Sequence, residues 1–354
     1  MHNRFVSLVV LLIAAPLAAE DAVVRFTFAG RPVEGQALAW NSRQIFLLAR
    51  DGQVLELAPA QAENPSRVAG PLRSFSQAEM RGTLLAEFGR GYEVSGVGHY
   101  LVVHPAGQRD QWAPRFEQLY RSLVHYFSAR GWQLAEPRFP LVAVVFPRHA
   151  DFAEHAARDG LNAAPGLLGY YSTRTNRILL YDAARSGHDW AAGADTIIHE
   201  AAHQAAFNTG VHSRFGVAPR WVCEGLGTMF EARGVWQSRT YPHQSDRINR
   251  GRLDDWRSHA ASGRRAPETL AQLVSSDRPF ATAPISAYAE AWALTFFLCE
   301  SEPKKYFTYL AKTAAVPPFS DYRSPARLKD FTDVFGNDFA MLDARLARFM
   351  AGLK

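Results

Sequence analysis

The chain has 354 residues, of which 47% are hydrophobic and 21% are charged, so it can bury a sizeable core and is expected to form two structural units. Its net charge of +5 comes from scattered Lys and Arg rather than from a basic stripe, which excludes a recognisable nucleic-acid-binding module. Beyond the amino terminus no run reaches the roughly 18 apolar residues of a membrane span, which excludes a spanning helix.

Residues 1–19 have the pattern of a secretory signal peptide. His2 and Arg4 precede an apolar run over 5–17, and small residues close it at Ala19. Such a run is too short to cross a membrane as a helix. We therefore expect the mature chain to be exported and to work as a periplasmic or secreted protein.

Residues 20–106 are predicted to form a small β-rich domain. Apolar and polar residues alternate from Val24 to Phe28, which is typical of a half-buried strand, and Asp51-Gly52 is a hairpin turn signal before another short apolar run. The polar stretch 61–71 is expected to be a loop. This pattern indicates a small barrel or sheet without a catalytic cluster.

Residues 107–354 are predicted to form a second domain, in which a small sheet precedes a helical part. Helical spacing of apolar residues indicates a helix at 114–130, and the apolar run 141–146 indicates a buried strand followed by a helix at 150–158. Two strand-like runs around a polar turn predict a hairpin over 169–182. The remaining predicted elements are helices at 193–208, 220–233, 266–275, 284–300, 302–313 and 338–351.

The sequence HEAAH lies in the first of these remaining helices. Because residues four apart lie on one face of a helix, His199 and His203 can each offer a ring nitrogen to a single zinc ion. Glu200 points about 100° away around the helix and can take a proton from metal-bound water without being a ligand. The alternative is a coincidental string in a helix that simply packs, so the motif alone remains a hypothesis.

A catalytic zinc ion usually has a third protein ligand and keeps its fourth position for water. In WVCEGLGTMFE, residues 221–231, Glu224 would lie in an early turn of a helix that begins near Pro219. It could complete a His-His-Glu site, or it could be a carboxylate stabilised by the helix dipole. Glu231 lies two turns further on the same face and could hold a ligand imidazole, although a solvated surface role is an equal alternative.

The two cysteines, Cys223 and Cys299, each adjoin a predicted site helix. Export permits a disulfide between them, and two buried free thiols are the alternative. Cys223 is rejected as a ligand because consecutive helix residues point about 100° apart.

The segments HEAAHQAAFN and WVCEGLGTMFE together resemble the gluzincin zinc peptidases, notably the aminopeptidase N group. Over roughly 150–300 the chain looks closest to an uncharacterised bacterial family, domain of unknown function 1570. The resemblance implies an α+β, zincin-like fold with one Zn²⁺ between a sheet lobe and a helical lobe. It also implies that Tyr288 donates its hydroxyl to the oxyanion of the attacked carbonyl, whereas packing near Trp292 is the alternative role.

One departure from the aminopeptidase group affects the predicted function. That group carries a Gly-x-Met-Glu-Asn segment whose Glu holds the substrate's amino terminus, and nothing like it precedes His199. We therefore predict a zinc-dependent endopeptidase that acts on a peptide or protein substrate. The rival hypothesis is a zinc-containing cell-envelope binding module without turnover. No sequence feature indicates an oligomeric state.

Overall fold

The computed structural model describes residues 22–107, 112–163, 166–182 and 190–354, with the side chains of 190–193 excepted. The fold is α+β, as the sequence predicted, with two five-stranded sheets followed by a helical part. The predicted signal peptide lies outside the described residues. Within the described ranges, every helix is too short or too polar to cross a membrane.

The first sheet is wholly antiparallel and has the strand order β4-β3-β2-β1-β5. The predicted loop at 61–71 is wrong, because β5 pairs with β1 there. This strand lies at the sheet edge and buries none of its side chains. Its backbone pairs with β1 although its sequence has no pattern of apolar residues. The strands are β1 (Val23–Phe28), β2 (Arg31–Trp40), β3 (Ile45–Ala49), β4 (Val54–Leu57) and β5 (Glu63–Val68).

The second sheet is mixed, with the order β6-β7-β8-β10-β9. Its central strand β8 is parallel to both neighbours and buried along its whole length, which explains the continuous apolar run LVAVVF. The predicted hairpin is confirmed, because β9 and β10 pair antiparallel and leave β9 at the edge. The strands are β6 (Tyr92–Val97), β7 (Tyr100–Pro105), β8 (Leu141–Phe146), β9 (Gly169–Ser172) and β10 (Arg177–Tyr181). The domain boundary at 106 stays a prediction, although this sheet includes strands from both sides of it.

Helices cover both faces of the second sheet. On one face lie α1 (Gln77–Phe88) and α3 (His149–Arg158), and on the other lie α2 (Trp112–Ser128) and α4 (Trp190–Asn208). Helix α1 falls in the stretch predicted to be β-rich. Its start carries a capping box, in which the Ser76 N–H donates to Glu79 at 2.8 Å, so the local signal for this helix was present in the sequence.

The carboxyl-terminal part is helical, as predicted, and is centred on the long, almost wholly buried helix α10. Four helices of this part were missed. The longer two, α7 and α12, each bury only two side chains and so lack an extended apolar stripe, and the other two, α6 and α9, are only four and five residues long. The helices are α5 (Arg220–Phe230), α6 (Arg233–Trp236), α7 (Arg250–Ala261), α8 (Thr269–Ser275), α9 (Arg278–Thr282), α10 (Pro284–Ser301), α11 (Pro303–Ala314), α12 (Ser324–Phe335) and α13 (Phe339–Ala351).

Candidate metal centre

Two imidazoles face each other on helix α4. The Nε2 atoms of His199 and His203 lie 2.9 Å apart, and both side chains are largely buried. Helix α4 packs on the second sheet through an apolar face that includes Ile198 and Ala201. The one-turn spacing in HEAAH therefore places two metal-ligating nitrogens at the same point beside the sheet.

Helix α5 supplies the third donor. Glu224 Oε2 lies 3.3 Å from His199 Nε2 and 3.7 Å from His203 Nε2, and the three donor atoms lie within 4.8 Å of one another. A tetrahedral zinc ion with bonds of about 2.0–2.1 Å holds its ligand atoms about 3.3 Å apart. The donor set therefore fits one zinc ion. In the described part of the chain no other group of three or more His, Cys, Asp or Glu side chains brings its donor atoms this close together.

Two glycines of the EGLG sequence let α5 fit between its neighbours. A Cβ on Gly227 would stand 2.7 Å from Cε1 of His199, and a Cβ on Gly225 would stand 2.6 Å from the Ala291 carbonyl oxygen of α10. Both distances are shorter than side chains tolerate, so hydrogen is the only substituent that leaves α5 in contact with both helices. The glycines thus bring the Glu224 backbone close to the imidazoles.

The charges of this cluster favour a cation at its centre. Burial lowers the pKa of His199, but hydrogen bonds to Glu224 and Glu231 outweigh it and raise that pKa to about 10. Burial raises the pKa of Glu224, yet its contacts with His199 and His203 outweigh this effect and lower it. A positive charge between these groups, from a proton or from a metal ion, is therefore stabilised.

The other ring nitrogen of His199 is also held. Its Nδ1 lies 2.8 Å from Oε1 of Glu231, so Nδ1 carries the proton and Nε2 faces the cluster. The amide of Asn249 donates to Oε2 of Glu231 at 2.7 Å and to the Thr228 carbonyl at 2.9 Å. Of the two roles considered for Glu231, its hydrogen bond to His199 matches the first, in which it holds that imidazole in orientation. Sequence reasoning missed Asn249, which precedes α7 as its N-cap.

Glu200 lies beside the three donors without joining them. Its Oε2 accepts the backbone N–H of Tyr171, on edge strand β9, at 2.7 Å. Burial raises the pKa of Glu200 and outweighs the opposite effects of His199 and His203. A carboxylate with a raised pKa next to a metal site is suited to accept a proton and to return it.

Tyr288, from α10, reaches the same region. Its hydroxyl accepts a hydrogen bond from Arg220 Nη2 at 3.3 Å, and its ring packs edge-on against Phe280 at 5.3 Å. Burial raises the pKa of Tyr288, so the hydroxyl keeps its proton at neutral pH and can donate it in a hydrogen bond. Sequence reasoning did not single out Arg220, although it lies one helical turn before Glu224.

The turn between β9 and β10 is tied to the end of α4. Asn176 adopts a left-handed φ of 59° and exchanges two amide hydrogen bonds with Asn208, while the Tyr171 hydroxyl donates to Asn176 Oδ1 at 2.8 Å. Asn208 is the last residue of α4 and ends that helix two residues before Gly210. Here it also fixes the strand that holds Glu200.

Both cysteines are free thiols, so the structure favours the second of the two alternatives. Cys299 is buried and Cys223 is partly buried. Burial raises the pKa of both thiols, which keeps them protonated and unreactive at neutral pH.

Residues 193–320 match the model of a family described as a protein of unknown function, DUF1570. This is the family that the motifs resemble, and the matched range contains every candidate site residue. No curated protein matches the chain.

Crystal structures of an M1 zinc metallopeptidase from Deinococcus radiodurans are similar to the chain. A glutamate-to-alanine mutant is 13% identical with a TM-score of 0.39, and the match covers 72% of this chain and 49% of that one. The M1 enzyme in a further crystal structure is 16% identical with a TM-score of 0.38, covering 70% of this chain and 47% of that one. The chain thus spans about half the length of these structures.

Proposed function

We propose that the chain is an exported, zinc-dependent peptidase that cleaves peptide bonds by activating water. The observation that carries the proposal is the convergence of three donors, His199, His203 and Glu224, beside the partly buried carboxylate of Glu200. A structural zinc site is normally closed by four protein ligands, whereas three ligands leave a position for water or substrate. A neighbouring base that is not itself a ligand is what hydrolysis requires.

Each side chain has a distinct task in this mechanism. A zinc ion held by His199, His203 and Glu224 would lower the pKa of a bound water toward about 7 and polarise a carbonyl. Glu200 takes a proton as the water attacks and returns it to the leaving amine. The Tyr288 hydroxyl donates to the oxygen that becomes negatively charged.

The position of β9 supports an extended peptide as substrate. This strand lies at the edge of its sheet, and its Tyr171 N–H meets the Glu200 carboxylate. A peptide that pairs with β9 as an added strand would therefore pass the proposed base. The absence of a Gly-x-Met-Glu-Asn segment before His199 favours cleavage within a chain over removal of amino-terminal residues. The signal-peptide pattern of residues 1–19 supports export.

Zinc content and cleavage of a peptide library, measured side by side, test the proposal. We expect wild type to bind one zinc ion and to cleave within peptides, Glu200→Gln to keep the zinc and lose cleavage, and His203→Ala to lose the zinc. Glu154→Gln is the matched control, because Glu154 is exposed on α3 and pairs with its helix neighbour Arg158. It should change neither quantity.

Other outcomes would contradict the proposal in different ways. Full turnover in Glu200→Gln would remove this residue as the base. Zinc binding without any cleavage by wild type would favour the rival binding module. A wild type free of zinc would reduce HEAAH to a packing motif.

A further inference from the structure

Arg220 lies between the third metal donor and the proposed oxyanion donor. Its Nε is 3.3 Å from Oε1 of Glu224, and its Nη2 is 3.3 Å from the Tyr288 hydroxyl. One guanidinium thus bridges helices α5 and α10 at the candidate metal centre. Its side chain is 44% exposed, so the bridge lies on the solvent-facing side of Glu224.

The two oxygens of Glu224 have different partners. Oε2 faces the Nε2 atoms of His199 and His203, whereas Oε1 is bound by Arg220. A carboxylate whose second oxygen is held elsewhere offers a metal ion one oxygen instead of two. The difference decides how many coordination positions remain for water and substrate.

Two contacts hold Arg220 in place, one at its backbone and one at its guanidinium. Its backbone N–H donates to Oδ1 of Asp277 at 3.0 Å, which caps a helix whose N-cap residue, Pro219, offers no side-chain acceptor. Asp277 is itself fixed by Arg327 at 2.7 Å. The guanidinium also stacks over the ring of Phe280, with Cζ 4.9 Å from its centroid. Because it is anchored in this way, Arg220 can impose a geometry on Glu224.

We propose that Arg220 is a positioning residue that keeps Glu224 a one-oxygen metal ligand and aims the Tyr288 hydroxyl at the same coordination sphere. The inference rests on the proposed function and adds a residue that links metal binding to oxyanion binding. It acts through its two neighbours and need not touch the substrate.

The planar fork of arginine suits this role. Nε and Nη2 leave the guanidinium in fixed directions, so two partners on different helices are bound at a set separation. A lysine would keep the positive charge but would present a single nitrogen on a flexible stem. Comparing arginine with lysine at this position therefore separates the effect of the guanidinium geometry from the effect of the positive charge.

The test uses the full chain with Arg220→Gln, Arg220→Lys and Arg252→Gln. Arg252 is the matched control, because its Cζ lies 5.2 Å from the Tyr288 ring, close to the 5.9 Å of Arg220, while its side chain pairs with Asp255 and not with Glu224. Zinc affinity is measured by chelator competition, and coordination number is measured from the visible absorption of the cobalt-substituted protein. Thermal unfolding confirms that each variant folds.

We expect both Arg220 variants to bind zinc about 10- to 100-fold more weakly than wild type, which is typical for loss of a group that orients a ligand. Their cobalt absorption should weaken as Glu224 supplies a second oxygen and the coordination number rises. Arg252→Gln should match wild type in both measurements. For peptide cleavage, kcat should fall more than KM changes, because Tyr288 acts on the transition state.

Wild-type zinc affinity and an unchanged cobalt spectrum in Arg220→Gln would overturn the inference, as would an unaltered Arg220→Lys. If wild type binds zinc but cleaves no peptide, the proposed function fails while the metal measurements still decide the role of Arg220. If wild type cleaves and Arg220→Gln matches it throughout, the inference alone fails.

Discussion

The two sheets have the same number of strands, yet only the second contributes directly to the candidate metal centre. Its parallel centre is covered by helices on both faces, and one of them, α4, carries His199 and His203. Its edge strand β9 holds Glu200 through a backbone N–H. The first sheet is antiparallel throughout and is built around apolar clusters of its own strands and adjoining loops.

The difference shows which contacts build the site. Two of the metal donors come from a helix that is fixed by the sheet beneath it, and the third comes from α5, which packs mainly against that helix and against α10. The first sheet can therefore be weakened separately from the second. Matched substitutions in the two sheets should then differ in their effect on zinc.

The largest effect expected is on stability, from Leu→Ala in either sheet. Leu47 of β3 is 0% exposed and Leu180 of β10 is 2% exposed, so each truncation should lower the free energy of unfolding by about 2–5 kcal/mol. Leu180 shares its apolar cluster with Ile198 of α4, whereas Leu47 packs within the first sheet. We expect Leu180→Ala also to weaken zinc binding, and Leu47→Ala to leave it unchanged where the protein is folded.

Denaturant unfolding and chelator competition measure these two quantities. Leu85→Ala is the control, because Leu85 is 46% exposed on α1 and should change stability by less than about 0.5 kcal/mol. Equal loss of zinc affinity in Leu47→Ala and Leu180→Ala would show that both sheets support the metal centre alike.

A smaller effect is expected from Gly→Ala substitutions within helices, measured as a change in zinc affinity. A Cβ on Gly227 would stand 2.7 Å from the His199 ring, so Gly227→Ala should displace the ligand and weaken zinc binding by about 10- to 100-fold, or about 1.4–2.8 kcal/mol. At Gly82, on α1, the same added methyl group would meet open space. There alanine should stabilise the helix by roughly 0.5–1 kcal/mol and leave zinc affinity unaltered. A Gly227→Ala variant with wild-type affinity would contradict the close packing of α5 on α4.

Local patterns predicted much of this architecture. The α+β class, the buried run of β8 and the β9–β10 hairpin follow from apolar periodicity over a few residues. The one-turn spacing of His199 and His203 likewise depends on one helix alone. Local patterns failed for β5, which buries no side chain, and for α7, which buries only two, because neither sequence has an extended apolar pattern.

The groups around the donors could not be predicted in the same way. Arg220 meets Tyr288 across 68 positions of the chain, and Asn249 meets Glu231 across 18. Neither pair has a spacing rule, because each contact depends on how separate helices are packed. Of these contacts, the sequence indicates only the pair of Arg220 and Glu224, because residues four apart on one helix are neighbours.

Two links join the first sheet to the β9–β10 turn, which follows the strand that holds Glu200. Arg214 Nη2 donates to the Gly52 carbonyl in the β3–β4 turn and to the Thr173 carbonyl in the β9–β10 turn, both at 2.7 Å. The Val54 N–H of β4 also donates to the Arg174 carbonyl at 2.8 Å. The first sheet thus touches the edge hairpin at its turn.

The smallest effect expected comes from cutting the first of these links with Arg214→Met. Loss of hydrogen bonds worth roughly 1 kcal/mol should loosen the β9–β10 turn and lower kcat/KM for peptides about fivefold, with zinc affinity unchanged. Arg138→Met is the control. Its guanidinium also binds the first sheet, at Gln36 Oε1 at 2.9 Å, and lies 5.5 Å from a neighbouring Phe ring as Arg214 does. It also donates to the Leu72 carbonyl at 3.1 Å, whereas Arg214 donates to the hairpin. Equal losses of kcat/KM in both variants would mean that the first sheet supports the site through overall stability. A loss in Arg214→Met alone would show that the first sheet braces β9, the strand proposed to pair with the substrate.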